Sequence, residues 1–320
     1  MPTPHRMLAA VVAVCWGLNF IAIDASLDHF PPFFLAALRF AVIAVPTVLL
    51  VPRPAVATRW LVGYGLGFGT FQFLFLYWGM TAGMPTGLAS LVLQASAPFT
   101  VLLGTVLLRT PLTSRAAGGV GLACAGLATV GWQRAAGPAD LVPFLLVLAG
   151  GLAWAFGNLC TAQARPPNPW HLALWMSVVP PVPLLALALT VEGPARIGSA
   201  LTTWEAGTTL PAVVGLAYTA LVATVLGSGL WSWLMARHPA SAVAPFSMLV
   251  PVVGMSSAWL LLGERVAPGE FAGAVAVVSG VLIATAHRRP REDSRVAGHP
   301  SSRQAWRSES LPPVCSRARR

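Results

Sequence analysis

Lysine is absent: all twenty basic residues of this 320-residue chain are arginine. That absence removes the P-loop lysine that holds nucleotide phosphates and any lysine Schiff base. ATP is therefore not an expected partner of the chain itself. Charge of either sign is scarce, at 9% of residues against 56% apolar, too little to clothe a water-soluble surface of this size. Between Arg59 and Arg109, 49 residues pass without one Asp, Glu, Lys or Arg. A helix needs about 20 apolar residues to cross the hydrocarbon core, so this stretch holds two crossings and a short turn. Cysteine is limited to four residues, and Cys15, Cys124 and Cys160 lie in apolar runs while Cys315 lies near the C-terminus, which is no disulfide framework. No HExxH, CxxC, GxSxG or paired-carboxylate pattern occurs, so neither a metal, a cofactor nor an enzymatic activity is expected.

Apolar runs bounded by Pro, Gly and charge predict an all-α integral membrane protein with ten transmembrane helices, at about 7–27, 31–51, 60–80, 86–108, 115–132, 141–163, 170–190, 210–235, 240–262 and 268–287. Arg6 before the first run resembles a signal-peptide start. The run continues past Trp16 and Asn19 with no small-residue cleavage site, so it reads as a retained helix. The net charge of +10 is concentrated at the C-terminus, where nine arginines and three acids follow residue 287. Residues 288–320 read as a disordered, arginine-rich cytoplasmic tail, and no basic stripe interleaved with aromatics suggests nucleic acid as a partner. With the N-terminus in the cytoplasm, the inside loops hold Arg6, Arg53, Arg59, Arg109, Arg115, Arg165 and Arg237. The outside loops hold only Arg134, Arg196 and Arg265. The expected orientation therefore puts both termini inside.

The halves echo each other. Pro98 and Pro251 both lie mid-span, and Gly119 and Gly126 correspond to Gly273 and Gly280 at a constant offset of 154 positions. Trp16 is matched loosely by Trp154. The expected organisation is a first repeat over 1–135 and a second over 136–287, each of five helices. Five is odd, so the second copy is inverted in the membrane, an arrangement suited to alternating access.

Polar residues in mid-span must face protein or a water-filled cavity. Candidates for a substrate site are Trp16, Asn19, Arg39, Gln72, Gln94, Trp154, Asn158, Tyr218 and Ser228, with Ser96 and Thr224 beside them. Such amides and indoles suit a zwitterionic amino acid; the structural alternative is that they pair between helices. Arg39 is the costliest residue, at about 2.5–3.5 kcal/mol on insertion scales unless paired or wetted. It either ties the first two spans through Asp24 or Asp28, or attracts a substrate carboxylate. Asp24 is the candidate carrier of a coupling proton. Pro98 and Pro251 are candidate hinges or fixed kinks. Gly63, Gly65, Gly67 and Gly69 lie within an apolar span and read as a helix-packing face.

The run VCWGLNF (14–20), then PPFFLAALRF (31–40), GMPTGLASLVLQASAPF (83–99), VATVLGSGLW (222–231), APFSMLVPVVG (244–254) and LLLGER (260–265) together resemble an EamA-type carrier of the drug/metabolite transporter superfamily, most closely its O-acetylserine/cysteine-exporting branch. The resemblance covers about residues 8–287. It implies a ten-helix inner-membrane carrier with a central cavity between two repeats, exporting cysteine-pathway metabolites. A broader amino-acid or drug exporter is the alternative within the superfamily, and a non-transporting membrane assembly partner the alternative outside it. Arg109-Thr110-Pro111 stands where relatives often have Gly-Glu-Arg, Asp24 where they commonly have Lys, and Ser228 where they often have Tyr.

Overall fold

The computed structural model describes residues 1–136, 141–238 and 240–285; the expected tail lies outside these residues. Among the described residues every regular element is helical. In chain order they are α1 (Thr3–Leu27), α2 (Pro32–Leu50), α3 (58–81), α4 (Thr86–Leu107), α5 (Ser114–Ala136), α6 (Val142–Ala164), α7 (Pro169–Glu192), the short α8 (Pro194–Thr202), α9 (Thr209–Arg237), α10 (Ala244–Leu262) and α11 (Pro268–Thr285). Proline opens α2, α6, α7 and α8, where its missing N–H costs nothing and its fixed φ suits the first turn.

Eight of these helices are long and apolar enough to cross a membrane, which makes this a multi-pass membrane protein. The two expected spans outside that set are α3 and α5. Their length suffices, at 23 residues for α5. Their composition does not, because α3 is interrupted by glycines and Gln72 and α5 is built largely of alanine and glycine. The connection at 191–209 forms α8 and buries Ile197.

Small residues let α5 and α11 approach backbone to backbone. A methyl group on Gly119 would stand 2.6 Å from the Gly280 carbonyl oxygen, and one on Gly126 would stand 2.6 Å from that of Gly273. Two glycine pairs thus mesh in opposite chain directions, where dispersion rather than water exclusion drives association. Gly118 and Gly121, on the same helix α5, face open space.

Several helices depart from α geometry at membrane depth. A wider π turn occupies Gly65–Phe71 in α3 and Tyr218–Gly227 in α9. Within each, a threonine donates to the carbonyl five residues back: Thr70 to Gly65 at 3.3 Å and Thr224 to Thr219 at 2.8 Å. Tighter 3₁₀ turns occupy Leu93–Ala95 and Ala244–Met248, each just before the expected kink proline. Pro98 and Pro251 remove the N–H that would have bonded Gln94 and Ser247, so the turn before each tightens. The freed Ser247 carbonyl accepts a long bond from the Gln94 amide, 3.4 Å away.

Two helix N-termini are closed by distant carboxylates. Glu192 accepts from the backbone N–H groups of Phe33 and Phe34 at 2.7 and 3.0 Å. Glu264 accepts from those of Thr86 and Gly87 at 2.7 and 2.9 Å. Gly263, at φ 69°, takes the left-handed turn that ends α10 and carries Glu264 towards α4.

Gly280→Val is expected to destabilise the α5–α11 pair by about 1–3 kcal/mol. Gly118→Val, on the open face, is expected to change little. Unfolding in mixed detergent micelles measures both; equal losses would remove the packing argument.

Candidate functional site

Arg39 is the electrostatic centre of the bundle. It is 3% exposed on α2. One terminal nitrogen donates to the Tyr77 hydroxyl at 2.9 Å and the other to Thr224 Oγ1 at 2.7 Å. The guanidinium lies 3.9 Å from the centre of the Phe73 ring and 5.0 Å from that of Phe40, a stacked cation–π arrangement that the planar group favours. Its Nε has no partner.

The expected ion pair to Asp24 or Asp28 does not form. Asp24 accepts instead from Thr86 Oγ1 at 2.8 Å, and Asp28 is exposed beyond α1. Glu192 and Glu264 are committed to helix N-termini, Glu270 to the Ala267 N–H, and Glu205 lies in the connection before α9. Among the described residues Arg39 is therefore a buried cation held by neutral acceptors and aromatic faces. The geometric reason is depth: the acids gather near helix ends, whereas Thr224 sits midway along the 29-residue α9.

Thr224 also lines a narrow cavity of about 10 Å³, room for roughly one water molecule. Ser228 and Gly229 of α9, Tyr64 and Phe68 of α3, and Trp170 and Met176 of α7 line it too. Phe68 links this wall to the wider aromatic cluster, 5.8 Å from Trp154 and 6.1 Å from Phe73. A second, open cavity of about 460 Å³ lies towards the α1 N-terminus, between Leu8, Asn168, Trp170, Gly229 and Arg237.

Of the residues singled out from sequence, Arg39, Ser228 and Trp154 thus gather around one aromatic-walled centre. Others are committed to helix packing. The Trp16 indole donates to the Ala223 carbonyl at 2.8 Å, and the Tyr218 hydroxyl donates to that of Cys15 at 3.0 Å, both fastening α1 to α9. Asn158 donates to Thr100 Oγ1 at 3.1 Å, between α6 and α4, and Gln94 donates to Ser247. Asn19 and Gln72 are 8% and 3% exposed, and their side-chain oxygens accept nothing. Two unspent acceptors at depth are groups to which a substrate ammonium can donate.

Sequence reasoning missed Tyr64, Phe68, Phe73, Tyr77, Trp170 and Met176. The aromatic density of 64–78 was a legible signal, but only the fold shows which rings face Arg39.

Thr224→Val is expected to cost about 1–3 kcal/mol by leaving part of the buried guanidinium without an acceptor. Thr70→Val removes a comparable back-bond with no arginine on it and is expected to cost less. Thermal unfolding in detergent gives the order; equal costs would mean that Thr224 is not the acceptor on which Arg39 relies.

The EamA-like transporter family matches the chain over residues 5–132 and 141–286. A "probable amino-acid metabolite efflux pump" of Salmonella typhimurium is 40% identical over 307 residues, spanning 93% of this chain and 100% of the relative. Its counterpart of the same description in Escherichia coli is 38% identical, spanning 88% and 95%. A "probable terminal-alkyne amino-acid exporter" of Streptantibioticus cattleyicolor is 26% identical, spanning 92% and 96%. A solved structure described only as "Crystal structure of protein" matches with a TM-score of 0.58 at 18% identity, over 89% of this chain and 97% of the other, a likeness of fold alone.

Proposed function

The chain belongs to the EamA-like transporter family, and from that premise we propose that it exports small amino-acid metabolites, cysteine and O-acetylserine among them, across the bacterial inner membrane by alternating access. The observation that carries the proposal is Arg39, a guanidinium at membrane depth with no carboxylate among the described residues to balance it. A substrate carboxylate is the missing counter-charge: it forms short, charge-assisted bonds that no neutral partner matches. Asn19 and Gln72 offer carbonyl oxygens to an ammonium group, and the Phe68–Trp154 wall suits a short apolar side chain. The names of the efflux-pump relatives point to the same cargo class.

The architecture that goes with this reading is ten transmembrane helices in two inverted repeats, over 1–135 and 136–287, with both termini cytoplasmic. The arginine bias between alternate connections supports the orientation. Paired irregularities support the repeat. Thr70 and Thr224, each back-bonded across a π turn, stand 154 positions apart, as do Gly119 and Gly273. Gln94 and Ser247, whose main-chain carbonyls the two prolines free, stand 153 apart, and the Gln94 side-chain amide donates to the Ser247 carbonyl. Gly119 meets Gly280, the counterpart of Gly126, while Gly126 meets Gly273, the counterpart of Gly119. Reciprocal contacts of that kind are what a two-fold relation generates. On this reading Pro98 and Pro251 are the bending points of α4 and α10. Asp24, beside Thr86 at the mouth of the bundle, carries the coupling proton.

Cells expressing the wild-type protein and loaded with excess cysteine are expected to accumulate extracellular cysteine and O-acetylserine above vector controls. Arg39→Lys keeps the charge and loses the fork, so it is expected to lower efflux about tenfold at unchanged membrane abundance. Arg39→Gln is expected to abolish efflux. Control-level efflux from well-expressed wild type would sink the cargo assignment, and full efflux from both variants would remove Arg39 from the site. In reconstituted vesicles an imposed pH gradient is expected to drive the wild type but not Asp24→Asn; equal responses would exclude Asp24 as the proton carrier.

A further inference from the structure

The two cavities share a wall. Trp170 and Gly229 border both the wide cavity of about 460 Å³ and the narrow one of about 10 Å³. The indole of Trp170 lies so close over Gly229 that it fills the place where any side chain at that position would begin. Its backbone is fixed there by sequence: Pro169 opens α7, and the Asn168 side chain caps the helix by accepting from the Trp170 N–H at 3.0 Å. Beyond the ring lies Thr224, the acceptor of Arg39.

We propose that Trp170, seated on Gly229, is the gate between the open vestibule and the Arg39 site and sets the size of molecule that passes. The volumes support a closed gate in the conformation described. Small-molecule sites occupy about 300–1,000 Å³, so the vestibule is large enough for a substrate and the inner cavity is far too small. A swing of one aromatic side chain off a glycine joins the two spaces without moving a helix. The ring's two faces also explain why position 229 bears no side chain: a methyl group there has no place while the indole is seated. The asymmetry of the walls adds a size rule. With Tyr64, Phe68 and Met176 fixed on the far side, the room released by the indole bounds the cargo, which favours small amino acids over bulky ones.

This inference rests on the Arg39 centre being the substrate site, and its test reads accessibility rather than transport. Ser228→Cys is introduced after replacing Cys15, Cys124, Cys160 and Cys315, and the rate of labelling by a membrane-impermeant methanethiosulfonate sulfonate is measured in inverted vesicles. Labelling is expected to be slow with Trp170 in place and about tenfold faster with Trp170→Ala, because the open population rises accordingly. Gly229→Ala is expected to act alike, since its methyl group unseats the indole. It also decides the matter if Trp170→Ala does not fold, as judged by gel filtration in detergent. Ala57→Cys, exposed in the connection between α2 and α3, is expected to label at one rate throughout. Unchanged Ser228→Cys labelling in the folded variants, or fast labelling with Trp170 intact, would overturn the gate. Gated labelling without cysteine or O-acetylserine efflux would overturn the cargo and leave the gate standing; efflux without gated labelling would do the reverse.

Discussion

At membrane depth there is no water to complete a hydrogen bond, so every broken turn and buried polar group must find its partner within the protein. Most of the bundle's particular features follow from that constraint. Pro98 and Pro251 each free a carbonyl; the turns before them tighten, and the Ser247 carbonyl takes a bond from Gln94 of another helix. The π turns of α3 and α9 loosen the backbone, and Thr70 and Thr224 reach back five residues to satisfy it. Trp16 and Tyr218 bond to main-chain carbonyls across the α1–α9 seam. Interhelical polar bonds of this kind are worth about 0.6–2 kcal/mol each, and here they close gaps that helix irregularity opens.

Arg39 is where that constraint is met only in part. Two neutral acceptors and the face of Phe73 spread its charge, but none cancels it. A carboxylate partner on the protein would lower the cost of burial and would also cancel the charge permanently. Holding the cation with hydroxyls keeps it ordered and still attractive to an anion. The same logic explains why the described acids sit near helix ends: Glu192 and Glu264 complement the N-termini of α2 and α4, where backbone N–H groups welcome negative charge, far from the arginine.

The membrane class was readable from the scarcity of charge, and the helix boundaries from Pro and Gly, because both are set locally. Helices α3 and α5 were expected as apolar runs free of charge, although their glycine content keeps them below the apolarity of the rest. The surroundings of the candidate site residues were only partly readable. Arg39 stood out because an isolated charge in an apolar run is conspicuous whatever surrounds it. Asn158, Trp16 and Tyr218 looked equivalent to Arg39 as candidates, and their interhelical bonds were not legible, since sequence gives depth but not the direction a side chain faces across the bundle. Trp170 was missed for the converse reason: one tryptophan among twelve in a membrane chain carries no distinctive signal until its ring is found on Gly229.

Internal symmetry and functional asymmetry meet at the two threonines. In the repeat reading Thr70 and Thr224 are counterparts, and the same i to i−5 bond holds each π turn. Only Thr224 receives Arg39, so the charge is held unequally by the two counterparts, among α2, α3 and α9. The capping carboxylates are unequal as well: Glu264 closes α4, while Thr110, its counterpart at the 154-residue offset, carries no charge. Two conformations that exchange the roles of the halves would have equal energy in a perfectly symmetric carrier. Each unmatched interaction here biases that balance, and the charged ones bias it most. On the proposed function a substrate carboxylate on Arg39 changes the largest of them, so binding at one buried cation would shift the population of the whole bundle.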